Sequence, residues 1–240
     1  MAVGRTQWLV VFSWLGGVLF VASLAVLLYS YFVTFGRPAP GDRRMSAVVL
    51  NVVLFSVFAL HHSVFARTGA KAFVRRHIPP AIERSAYVWI ASILLTAVCV
   101  LWQPIAGELY RIEWPLALVG FAIQITGVTI TSRGSSAIDV LDLAGIRRAI
   151  DGAHGRVSMA VPLQTTGVYG FVRHPLYFAW LLFVFGTPHM TFTRLEFAAL
   201  TSLYLALAIP LEERALINTF GDDYRAYQTR VKWRMLPGVY

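Results

Sequence analysis

The chain has 240 residues, of which 57% are hydrophobic and 14% charged, with a mean hydropathy of +0.62 and a formal charge of +9. It is too apolar for an ordinary soluble domain and too short for more than one or two domains. Its basic residues flank apolar runs rather than forming a basic arm or an aromatic-interleaved patch, so they read as positive-inside topology signals and not as a nucleic-acid surface.

A bilayer core takes roughly 20 apolar residues in helical form. Four runs meet or approach this: Trp8 to Phe35, Met45 to Ala66, Ser85 to Trp102 and Trp114 to Ser132. The first is too long for a signal-peptide core and reads as a retained helix. Turn and charge signals separate the runs, among them Gly36-Arg37-Pro38, Ile78-Pro79-Pro80 and Gly134-Ser135-Ser136. Ser85 is a candidate helix cap at the start of the third span. Cys99, the single cysteine, falls inside that span, which rules out an intrachain disulfide and reads as a small core residue. His61-His62 are adjacent and so do not share a helix face; a structural or pocket role fits them better than metal ligation.

The stretch from Gly134 to Thr166 is too polar to span and too long for a simple connector. Ile138, Leu141 and Ile146, with Asp139, Asp142, Arg147 and Arg148, suggest a short interfacial helix within it. Two shorter apolar runs follow, Leu176 to Pro188 and Leu195 to Leu211, expected to form a tight helical hairpin with the second helix ending near Pro210. The expected fold is therefore all-α: a polytopic membrane bundle of about six apolar segments with a carboxyl-terminal helical hairpin and a cytosolic tail. Residues 1–132 form an amino-terminal four-helix membrane region, and residues 133–240 an interfacial loop, hairpin and tail. With the amino terminus inside, residues 67–84, 133–173 and the tail from Glu212 are cytosolic, and the external loops lie around residues 37–44 and near Arg111 and Arg194.

The chemistry concentrates near the carboxyl end. Pro175 is suited to the first turn of a helix, which places Arg173 and His174 at that helix's amino end, where backbone donors and the dipole favour an anion such as a carboxylate. Glu212 and Glu213 follow the last apolar run and are expected to face Arg173 and His174. Leu216, Phe220, Tyr224, Tyr227 and Val231 recur at helical spacing, interrupted by Gly221, and can fold back as an aromatic lid. Cationic, anionic and flat aromatic groups together suit a zwitterionic, purine-bearing cofactor. No Gly-x-Gly-x-x-Gly, Walker or Gly-x-Ser-x-Gly motif is present to support a soluble nucleotide domain or a serine hydrolase.

Thr166-Gly167-Val168-Tyr169, Arg173-His174-Pro175-Leu176-Tyr177, Glu212-Glu213 and Phe220-Gly221 with Tyr224 and Tyr227 resemble, as an ordered set over the last third of the chain, the signature of isoprenylcysteine carboxyl methyltransferases and related membrane methyltransferases. His62-Ser63-Val64, the stretch Pro79 to Val88, Asp142 to Arg147, and Thr187-Pro188-His189-Met190-Thr191 are similar to the methanethiol S-methyltransferase and NnrU-like branch. That branch carries Asn-His-Phe-Asp-Leu-Phe-Gly-Leu where this chain has Ile138 to Ile146, so one histidine and two aromatics are missing here. The resemblance implies an S-adenosyl-L-methionine-dependent enzyme without metal, acting in a bacterial inner membrane on a small apolar thiol. Carboxyl or lipid methylation, and a non-catalytic NnrU-like role, are the alternatives. It implies a cofactor pocket of Tyr169, His174, Pro175, Leu176, Tyr177, Tyr224 and Tyr227, with Glu213 on the cofactor's ammonium and Arg173 and Glu212 as catalytic residues facing the acceptor.

Overall fold

In the computed structural model, which describes residues 2–65, 76–135, 139–154 and 162–240, the apolar runs are helices. Hydrocarbon offers no partner for backbone donors and acceptors, and a helix satisfies them within one segment. In chain order these are α1 (Ala2–Tyr29), continued by a π-helical turn (Ser30–Thr34), α2 (Met45–Phe65), α3 (Pro80–Leu101), α4 (Ala117–Ser135), the short α5 (Val140–Leu143) and α6 (Ile146–Ala153), a 3-10 turn (Gly167–Gly170), α7 (Pro175–Phe185), α8 (Phe192–Phe220) and α9 (Asp222–Arg230). Among the described residues, four helices are long and apolar enough to cross a membrane: Gln7–Thr34, Met45–Phe65, Ala81–Leu101 and Phe192–Phe220. The protein is a polytopic helical membrane protein.

The structure revises several boundaries. The third span starts at Pro80, the first residue of α3, so Ser85 lies inside that helix and is not its cap. The run read as Leu195 to Leu211 is the much longer α8, which continues through Pro210 to Phe220. The run from Trp114 begins as a turn and becomes helical at Ala117; α4 carries Gln124 and Arg133 and is not one of those four helices. The fold is also not purely helical. Strand β1 (Glu108–Arg111) pairs antiparallel with β2 (His189–Thr191), with a bulge between Glu108 and Tyr110. The predicted loop over residues 67–75, Ser136, Ile138 and residues 155–161 lie outside the described residues.

The chain packs as two compact units. In the first (residues 1–35, 45–103 and 138–160), α1 runs along α3 and α6, and α2 lies on α3. Glycine permits the close approaches: a Cβ at Gly17 would lie 2.7 Å from Ile146 Cδ1. Buried Ser13 and Ser85 hydroxyls meet at 2.7 Å, and Ser85 donates to the carbonyl of Gly145, the left-handed residue (φ +79°) that turns the chain from α5 into α6. Asn51, fully buried on α2, holds both the N–H (2.7 Å) and the C=O (2.9 Å) of Gln103. The expected interfacial helix is thus two helices, with Asp139 accepting from the Leu141 amide and pairing with Arg147, and Asp142 pairing with Arg148. His61 stacks on Tyr87, and the Tyr87 hydroxyl lies 2.7 Å from His62 Nδ1. Cys99 is buried.

The second unit comprises residues 36–44, 104–137 and 161–240. Its centre is the α4–α7 contact, where backbones touch because Gly120 and Gly127 carry no side chain. A Cβ at Gly127 would lie 2.7 Å from the Ala179 carbonyl oxygen, and one at Gly120 2.7 Å from that of Gly186. Gln124, between them, donates to the Phe183 carbonyl at 2.9 Å. Buried Arg194 donates to the Thr187 hydroxyl and the His189 carbonyl, closing the connection from α7 to α8.

Candidate active site

Pro175 opens α7, and the residue before it is driven out of helical geometry. His174 accordingly has φ −121° and ψ 66°, and its carbonyl accepts the amides of Tyr177 and Phe178. The backbone just before the helix is stitched to the segment beyond α9: Arg173 N–H donates to Trp233 O at 2.9 Å and His174 N–H to Arg234 O at 2.8 Å. Arg173 extends the same attachment with its side chain, Nη1 donating to the carbonyls of Val231 (2.7 Å) and Lys232 (2.8 Å).

Glu212 and Glu213 are neighbours on α8, roughly 100° apart around its axis, and this rotation separates their surroundings. Glu213 is 3% exposed. It accepts from Arg173 Nε at 2.6 Å, Gln228 Nε2 at 3.2 Å, Arg234 Nε at 3.3 Å and the Tyr224 hydroxyl at 3.4 Å. Glu212 is largely open, accepts the Tyr177 hydroxyl at 2.7 Å and lies 3.6 Å from His174 Nδ1. The His174 ring stacks on Tyr177 (5.3 Å, 12° between planes), and its buried Nε2 faces the Glu213 carboxylate, 3.5 Å from Oε1.

These groups border a cavity of about 300 Å³ lined by Pro162, Leu163, Gln164, Tyr169, Arg173, His174, Pro175, Leu176, Tyr177, Glu212, Leu216, Phe220, Tyr224 and Tyr227. Nine of the ten residues singled out from the sequence lie on its wall. Glu213 does not: the residue expected to meet a cofactor's ammonium is buried behind Arg173. The wall also includes Pro162, Leu163 and Gln164, an irregular stretch whose sequence carried no recognisable signal.

Gly221, in a positive-φ conformation, ends α8 and lets α9 turn back. Tyr224, Tyr227 and Val231 then form a buried cluster against Leu163, Tyr169, Leu216, Ile217 and Phe220. Tyr227 donates to the Tyr169 carbonyl at 2.7 Å, and Tyr169 to the Gly134 carbonyl at 3.2 Å. Burial favours the neutral phenol in all three tyrosines: Tyr227 is pushed up to about 12, and Tyr169 and Tyr224 are raised, with nearby carboxylates adding to the shift. Among the described residues, no three His, Cys, Asp or Glu side chains are placed to hold a metal ion.

A membrane-embedded helical fold with a small, mostly apolar cavity and a few convergent charged groups defines a membrane enzyme for a small molecule. The chain is 34% identical to methanethiol S-methyltransferase 1 of Bradyrhizobium diazoefficiens over 193 residues, covering 78% of this chain and 68% of that one. It is 32% identical to methanethiol S-methyltransferase of a Pseudomonas species over 220 residues, covering 89% and 84%. Rat nurim is more distant, at 23% over 182 residues, covering 72% and 69%. No protein-family model matches the chain, and no solved structure matches it. The chain belongs to the methanethiol S-methyltransferase family and is a membrane methyltransferase.

Proposed function

We propose that the protein transfers the methyl group of S-adenosyl-L-methionine to a small thiol such as methanethiol, releasing a thioether. The observation that carries this is the cavity on which segments 162–177, 212–220 and 224–227 converge. Its donor set suits the cofactor: a wall carboxylate for an ammonium and aromatic faces for a purine. Tyr169, His174, Pro175, Leu176, Tyr177, Tyr224 and Tyr227 would hold it. Because Glu212 is on the wall and Glu213 is not, Glu212 takes the ammonium, and Glu213 holds Arg173.

When bound, the cofactor supplies a methyl group on a cationic sulfur. Arg173 borders the cavity and favours the anionic form of an acceptor; a thiol ionises near pH 8.5, and an adjacent guanidinium raises its thiolate fraction. The apolar wall of Leu163, Leu176, Leu216 and Phe220 excludes water, which favours a reaction that consumes one positive and one negative charge. The part of residues 133–240 that belongs to the second unit, with α4 packed on α7, makes up the methyltransferase core. The α7–α8 pair acts as a hairpin that completes six apolar segments. The basic residues beside the spans favour a cavity on the cytosolic side, and the bacterial relatives favour an inner-membrane setting.

The test is methyl transfer from labelled S-adenosyl-L-methionine by detergent-purified protein, with methanethiol, longer alkyl and aryl thiols and a prenylated cysteine in parallel. Turnover on a thiol is expected. Turnover on the prenylated acid alone would replace the thiol reading with carboxyl methylation.

A further inference from the structure

Pro210 sits inside α8, and its missing N–H deprives the Ala206 carbonyl, four residues earlier, of its helical donor. That oxygen instead accepts the hydroxyl of Tyr240 at 3.2 Å. Tyr240 is fixed by a closed turn: its carbonyl accepts the amides of Met235 (2.9 Å) and Leu236 (3.0 Å), and its own amide donates to Leu236 O (3.0 Å). The Arg234 guanidinium lies 5.1 Å from the centre of the Tyr240 ring, while its Nε donates to Glu213. The Arg234 carbonyl accepts the His174 amide. Contacts therefore run without a gap from the carbonyl freed by Pro210, through Tyr240 and Arg234, to Glu213 and His174. Tyr240 itself does not line the cavity.

We propose that Tyr240 is a positioning residue for methyl transfer, docked on the acceptor that Pro210 leaves open so that Arg234 holds Glu213 and His174 in register with the cavity. The proposal rests on the reading of that cavity as the methyltransferase site. Two roles have to be separated. A hydroxyl that merely satisfies a stranded carbonyl can be replaced by restoring the helical donor, whereas one that aims Arg234 cannot.

The experiment compares Tyr240→Phe, Pro210→Ala and the double variant of the full chain in detergent. It reads turnover on methanethiol, thermal unfolding, and hydrogen exchange of peptides containing Arg173 and His174. Tyr240→Phe is expected to lower kcat about three- to tenfold, the range for one lost hydrogen bond. KM for the thiol should change little, and exchange should quicken at Arg173–His174 but not in α4. In the double variant the new N–H at position 210 meets Ala206, so the unfolding temperature recovers while low kcat and fast exchange persist. Unchanged kcat and exchange in Tyr240→Phe, or recovery of both in the double variant, would overturn the proposal. A wild-type protein that methylates no thiol would overturn the proposed function instead, and the exchange measurements would still decide the role of Tyr240.

Discussion

Arg173 and Glu213, 40 residues apart in sequence, meet as a buried ion pair, Nε to Oε1 at 2.6 Å, with both side chains almost wholly out of solvent. Removing one partner of such a pair strands the other charge, which costs about 3–5 kcal/mol. Glu213→Ala is expected to destabilise the protein by that amount and to lose cofactor binding as a consequence. Glu213→Gln keeps an acceptor for Arg173 Nε and should be milder. Unfolding in detergent, followed by tryptophan fluorescence, checks both; equal stability of wild type and Glu213→Ala would show that the pair is not structural.

Glu212 should behave differently. It is open to solvent, so Glu212→Gln is expected to leave the unfolding temperature nearly unchanged. Losing a charge-assisted hydrogen bond to an ammonium would weaken S-adenosylhomocysteine binding roughly tenfold to a hundredfold. Calorimetry with that ligand and with an analogue lacking the amino group gives the check. The loss should be confined to the amino-bearing ligand, and equal loss for both would remove Glu212 from the ammonium's surroundings.

The α4–α7 contact yields a prediction with an internal control. At Gly127 the obstruction to a Cβ is backbone, the Ala179 carbonyl, whereas at Gly134 it is the Leu176 side chain at 3.0 Å, which can move. Gly127→Ala should destabilise by about 1–3 kcal/mol, as overpacking does. Gly134→Ala should cost much less. The yield of folded protein after detergent extraction and the unfolding temperature report the difference.

Alkaline pH tests the aromatic cluster. Burial raises Tyr227 to about 12 and also raises Tyr224, so folding favours the neutral phenols. Their contribution is complete below the ordinary tyrosine value of about 10 and is lost as pH rises through the folded values. Tyrosinate absorbance near 295 nm (about the usual wavelength) should therefore show these two titrating late, with loss of the cluster accompanying it. Tyr227→Phe should remove one late-titrating group; early titration of both would mean the cluster is open to water.

The long apolar runs were legible because hydrocarbon imposes a helix of bilayer length whatever the neighbours do. The site was legible as a set of residues for a narrower reason: Pro175 fixes a helix start, and Gly221 forces the tyrosine-bearing helix to turn back. What the sequence did not reveal depended on tertiary partners. Pro210 reads locally as a stop, yet α8 passes through it, and the carbonyl it strands accepts the Tyr240 hydroxyl. The different surroundings of Glu212 and Glu213 turn on the rotation of one helix, which adjacency cannot specify. Strands β1 and β2, of four and three residues, are too short for alternation to mark them. Gly120, Gly127 and Gly134, each seven residues apart on one helix face, were the overlooked signal for the α4–α7 contact.

The stitching of Arg173 and His174 to residues 231–234 sets an order of events during synthesis. Arg173 has its main-chain partner at Trp233 and two of its side-chain partners at Val231 and Lys232. A nascent chain made only as far as α8 already has its bilayer-crossing helices but lacks the carbonyls that hold those side chains in place. A chain lacking residues 231–234 would keep every long apolar helix and still lose the carbonyls that hold Arg173 and His174 beside the cavity.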